Sequence, residues 1–119
     1  MKKMLFILFF AAFSTLSFAQ SSASINANFE ITIEDSNNKI PEYISFNINS
    51  LPFASQESLD KFCQTFSMPY HEMHGNLALH EIRVHFNQAI LNDKNIDLAA
   101  LNEHFITLSK RMQIVYSNL

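Results

Sequence analysis

The chain has no tryptophan, one glycine (Gly75), one cysteine (Cys63) and three prolines among its 119 residues, and each shortage closes off a class of function. A lone glycine cannot build a phosphate-cradling loop, which needs backbone without Cβ at several positions. A lone cysteine cannot form an internal disulfide, so stability must come from packing or assembly, and the thiol is either buried or bonded to another chain. Positive charge is also scarce. Past residue 19, six Lys and Arg face eleven Asp and Glu, a net charge of −5 with histidine neutral. A surface of that sign does not gather phosphates, which argues against nucleic acid and anionic membranes as partners. Gly-x-Ser-x-Gly and His-Glu-x-x-His are missing, so the chain reads as non-enzymatic, and the Cys-x-x-Cys that would mark a soft-metal carrier is missing as well.

What is present begins with Met1–Ala19. Lys2 and Lys3 precede an apolar run from Leu5 to Ala12, and Ser17-Phe18-Ala19 places small residues where a signal peptidase inspects them. This pattern predicts a cleaved secretory signal, a chain starting at Gln20, and a periplasmic or secreted location. The short lysine-led signal suggests a bacterial source. No later stretch approaches the roughly 20 apolar residues of a membrane helix, so no membrane association is expected after cleavage. Residues 20–24 read as a flexible polar leader and 25–119 as a single domain.

Within that domain the hydrophobic period alternates between two and 3.6. Ile25, Ala27, Phe29, Ile31 and Ile33 alternate with polar residues and predict one strand; Tyr43–Leu51 predicts a second, paired with it as an antiparallel hairpin. Ser55 is a good helix cap with Glu57 in the first turn, and Leu59, Phe62, Cys63 and Phe66 make one buried face as far as Ser67. The thiol of Cys63 is therefore expected in the core. Gly75 suggests a turn. Residues 78–86 alternate again and predict a strand, and residues 68–73 are balanced between strand and loop. Asn92–Asn95 reads as a loop. Asp97 caps a final helix whose stripe is Leu98, Leu101, Phe105, Leu108, Met112 and Val115, although Ile114-Val115-Tyr116 also favours a strand. The order predicts an α+β two-layer sandwich: an antiparallel sheet of three to five strands with two helices on one face. With strands at 68–73 and at the tail from Gln113, residues 43–119 would follow the split β-α-β order of ferredoxin-like folds.

Three sets of residues could carry chemistry. Met68, His71, Met73 and His74 combine thioether and imidazole donors outside the cytoplasm, the combination that suits copper. On a strand, however, His71 and Met73 share one face and His74 takes the other; the ordinary alternative is surface or hydrogen-bonded histidines. Glu81 and His85 share a face of the 78–86 strand with Arg83 between them, which reads as a solvated polar surface. The stripe through Phe105, Leu108 and Met112 is the candidate assembly surface, for a homodimer or another protein. Phe53 is expected to pack over the start of the first helix. The resulting expectation is a small exported domain working through protein–protein contact, with copper binding as the alternative.

Overall fold

The computed structural model describes Ser21–Leu119; the expected signal, residues 1–19, lies outside the described residues. Five strands and three helices follow in the order β1 (Ser21–Ile25), β2 (Ile31–Asp35), β3 (Tyr43–Asn47), α1 (Gln56–Phe66), β4 (His71–Asn76), β5 (Glu81–Phe86), α2 (Gln88–Asp93) and α3 (Leu98–Ser117). The strands make an antiparallel pair, β1-β2, and a three-stranded antiparallel sheet in the order β3-β5-β4. The result is a small α+β domain. No helix among the described residues is long and apolar enough to cross a membrane.

The segment 25–34 is two strand ends and a turn, where its alternation predicted one strand. The Asn26 side-chain carbonyl accepts from the amides of Asn28 (2.9 Å) and Glu30 (3.0 Å). This local bond competes with extended pairing, as Asx turns do. Phe29 closes the turn at φ 62°, a region costing a non-glycine residue about 1–2 kcal/mol. Its ring is only 3% exposed, with Phe62 and Tyr116 at centroid distances of 5.6 and 5.0 Å. Burial of that ring offsets the backbone cost. Ser21–Ser24, expected as leader, is thereby drawn into β1, and β3 pairs with β5 instead of with the segment before it.

The first helix follows the sequence closely. The Ser55 hydroxyl accepts from the Ser58 amide, Leu59, Phe62, Cys63 and Phe66 are buried, and the helix ends at Phe66 with Ser67 extended. Phe53 packs on Phe62 and Tyr116. Gly75 is not in a turn. It pairs with Ile82 inside the sheet, and a Cβ there would stand 2.4 Å from the Leu59 side chain. The glycine is required because α1 lies close on β4. The chain reverses instead over 77–80, where His80 takes φ 50°. Residues 88–93, partly expected as loop, form the short α2 under an Asn87 cap.

α3 runs through to Ser117 from an Asp97 cap, so the tail from Gln113 is helix and supplies no fourth strand. Val115 and Tyr116 pack against the core, and the Tyr116 hydroxyl donates to the Pro52 carbonyl. That tertiary contact outweighs their intrinsic β preference. β3, α1 and β4 still form a split β-α-β unit with β5 between the two strands.

The free edges of β2 and β4 are plugged by side chains. On β2 the Ile33 amide donates to Asn102 Oδ1 (2.8 Å), and Asn102 Nδ2 donates back to the Ile33 carbonyl (2.9 Å). On β4 the Met73 amide donates to Ser67 Oγ (3.0 Å), while Gln56 donates to the Gly75 carbonyl (2.9 Å) and accepts from the Leu77 amide (2.8 Å). Such cover blunts pairing with a foreign strand.

Candidate functional site

The three-stranded sheet has one buried and one open face. Ile44 and Phe46 of β3, His71 and Met73 of β4, and Ile82, Val84 and Phe86 of β5 point into the core. Tyr43, Ser45, Asn47, Glu72, His74, Arg83 and His85 point out. Period two decides this division, since neighbouring residues of a strand project to opposite faces.

On the open face, register brings together residues distant in sequence. His85 lies opposite Tyr43 on one side and Glu72 on the other, and Arg83 lies opposite Ser45 and His74. The His85 ring is 5.8 Å from that of Tyr43 and 6.2 Å from that of His74. The Arg83 guanidinium sits 5.2 Å from the centre of the Tyr43 ring, within cation–π range. Glu72 contacts His74 at 3.3 Å, and Glu81 contacts Arg83 at 3.7 Å. Both contacts lie at the solvent-facing surface and contribute little to stability. The patch is a pre-ordered surface of an aromatic ring, an arginine and two imidazoles.

Beneath the sheet lies a second cluster. Met68 and His71 exchange backbone bonds across Pro69 and Tyr70 (2.7 and 3.1 Å), a tight turn suited to proline at its second position. This puts Tyr70 at the tip and starts β4 with His71 inward. From α3, His104 comes to meet them. His71 Nε2 and His104 Nε2 are 3.2 Å apart, and the Tyr70 hydroxyl is 3.0 Å from the same His104 nitrogen. The His71 ring is fully buried and packs 5.2 Å from Phe105. Among the described residues its Nδ1 has no hydrogen-bond partner beyond its own backbone. Burial, reinforced by the neighbouring His104, pushes His71 down to about 4, tempered by its own backbone. Burial also lowers His104 and raises the Tyr70 phenol. At neutral pH both rings are held as free bases.

The four residues expected around copper are divided by the sheet. His71 and Met73 face inward, His74 outward, and Met68 is 39% exposed beside the turn. Among the described residues, no three His, Cys, Asp or Glu side chains come close enough to share a metal ion. Phe105 and Met112 are fully buried and Leu108 nearly so, which places this stripe inside the domain. The exposed large apolar residues of α3 are Ile106 and Ile114. Glu81, Arg83 and His85 share one face, as their spacing requires. Cys63 is a core thiol pushed up to about 12 by burial and then by Asp60, which makes it a poor nucleophile.

Sequence reasoning missed His104, Tyr70 and Tyr43. His104 left a signal: it stands three residues after Leu101 and four before Leu108, on the buried stripe itself. Tyr43 became meaningful only once register placed it beside His85 and Arg83. Comparisons with protein-family models, with curated proteins and with solved structures return no match.

Proposed function

We propose that this chain is a small exported domain, periplasmic or secreted, which works without catalysis by binding another protein through the open face of its three-stranded sheet. One observation carries this reading: Tyr43, Arg83, His85 and His74 form a contiguous, mutually supported patch on the uncovered face. Tyrosine and arginine dominate the energetics of protein interfaces, because each offers a large contact with few torsions to freeze. Here Arg83 is already steadied by Tyr43 and Glu81, which lowers the ordering cost of binding.

Size sets the kind of partner. Three strands of five or six residues cover roughly 15 by 20 Å, about 300 Å² in projection. A standard interface needs about 800 Å² from each partner. The face is too small for a permanent dimer of this chain by itself and fits a transient contact. The complementary segment offers a carboxylate to Arg83 and an apolar or aromatic side chain to Tyr43. The plugged edges of β2 and β4 favour side-chain recognition over addition of a strand.

Photo-crosslinking in the exporting cell tests this. A photoreactive residue at position 45, in the middle of the patch, is expected to give one adduct of defined mass that Arg83→Glu abolishes. The same residue at position 110 on α3 gives none. Adducts of equal yield from both positions, or a position-45 adduct indifferent to Arg83→Glu, overturn the proposal. An adduct at twice the chain mass identifies a second copy as the partner and overturns the transient hetero-contact argued from area.

A further inference from the structure

We infer that His71 Nε2, His104 Nε2 and the Tyr70 hydroxyl form a site for one divalent transition-metal ion, of the class that prefers imidazole and oxygen donors. The inference is independent of the sheet-face reading. It uses the opposite side of the sheet and only one of the residues whose spacing suggested copper.

Distances come first. Two nitrogens bound at 2.0–2.1 Å around a tetrahedral ion stand about 3.3 Å apart. His71 Nε2 and His104 Nε2 are 3.2 Å apart, with their rings inclined at 50°. The Tyr70 oxygen lies 3.0 Å from His104 Nε2. His104 Nε2, on a helix, thus stands at metal-ligand spacing from both other donors, one on a turn and one on a strand.

Proton counting gives the second argument. His104 Nε2 contacts both His71 Nε2 and Tyr70, yet in a neutral ring it holds either one proton or one lone pair. As an acceptor, it faces two donors competing for a single lone pair. As a donor, it faces two acceptors with one proton, and His71 must then carry its own proton on Nδ1, which is buried and faces only its own backbone. Either tautomer therefore serves only one of the two contacts, and the half-buried Tyr70 hydroxyl is left to water. A cation among the three atoms would accept a lone pair from each. The cost of buried, imperfectly matched polar groups is a reason for such a cluster to exist around an ion.

The donor types agree: imidazole and a phenol oxygen suit a divalent transition ion, and Tyr70 must release its proton to bind as phenolate, against the rise that burial causes. His104 and Tyr70 are half-buried while His71 is enclosed, so an ion approaches from the His104 and Tyr70 side and keeps water on its remaining positions. Copper(II) binds nitrogen and oxygen donors most tightly among the divalent first-row ions, which makes it the probe.

The protein, purified metal-free, is titrated with copper(II) against a weak competing chelator at neutral pH. One equivalent is expected to bind, with electron paramagnetic resonance showing coupling to two imidazole nitrogens and absorbance showing a phenolate-to-copper band. Loss of an outer-shell partner typically costs 10–100-fold in affinity, so loss of a direct ligand in His104→Ala is expected to exceed about 100-fold. Tyr70→Phe keeps the fold, removes the visible band and weakens binding by less than His104→Ala, because the Tyr70 phenol must first lose a proton that burial holds. His74→Ala and Met68→Ala leave affinity unchanged. Wild-type affinity in His104→Ala, dependence on His74, or a wild-type complex lacking the phenolate band each overturn the assignment.

Discussion

His71 and His74 stand three residues apart on β4, yet the sheet gives them different chemistry. His71 points into the core, where its ring is sealed beside Phe105 and held as the free base. His74 points to water and rests against Glu72 at 3.3 Å. The same division separates Met73 from Glu72 and Val84 from His85. Two side chains of one type on one strand therefore do not make one site. The buried half of the sheet holds a neutral imidazole pair under packing constraint, while the open half holds an adaptable polar patch. Any change that exchanged the two faces would exchange these properties, because a slip of one residue turns every side chain over.

Four expectations follow from the difference between the two sides, beginning with the largest effect. Phe105→Ala is expected to destabilise the domain by about 3–5 kcal/mol in urea unfolding, the range for deleting a buried ring; a destabilisation under about 1 kcal/mol would return this residue to the surface role its stripe first suggested. Next comes pH. In the metal-free protein His71 holds no proton until about pH 4, whereas an unhindered imidazole protonates at 6.5. The unfolded chain takes up the proton first, so stability is complete above 6.5 and falls as pH drops towards 4. That window amounts to about 3 kcal/mol. His71→Leu should flatten this slope; an unchanged slope in that variant would contradict the inward placement of the ring. Gly75→Ala is expected to cost about 1–3 kcal/mol by overpacking against Leu59, and the penalty should shrink in a Leu59→Ala background. Additive costs would show that α1 does not press on β4 there. Smallest of all, Tyr43→Ala with Arg83→Ala should change stability by less than about 0.5 kcal/mol, which leaves the patch free for contact.

Much of the fold was legible because local signals and packing agree. Ser55 caps α1 and Leu59, Phe62, Cys63 and Phe66 bury it, as their spacing requires. The failures occur where one residue serves a distant contact. Gly75 resembles turn punctuation but makes room for Leu59. Phe29 reads as strand but closes a turn at positive φ for the sake of its ring. Ile114-Val115-Tyr116 favours a strand until Tyr116 finds Pro52 and Phe53. The stripe of Phe105, Leu108 and Met112 was readable as apolar, but periodicity does not distinguish a core from an interface. The pairing of His71 with His104 joins residues 33 positions apart, and no spacing rule connects a strand's first residue to the middle of a later helix.

The most direct test of this account is a nuclear magnetic resonance titration of the histidine side chains in the metal-free protein. Inward placement of His71 predicts that its ring stays unprotonated until about pH 4 and shows proton contacts to Phe105 and Tyr70. A His71 ring that titrates near the ordinary 6.5 without those contacts would contradict the account, because β4 would then present its other face to the core.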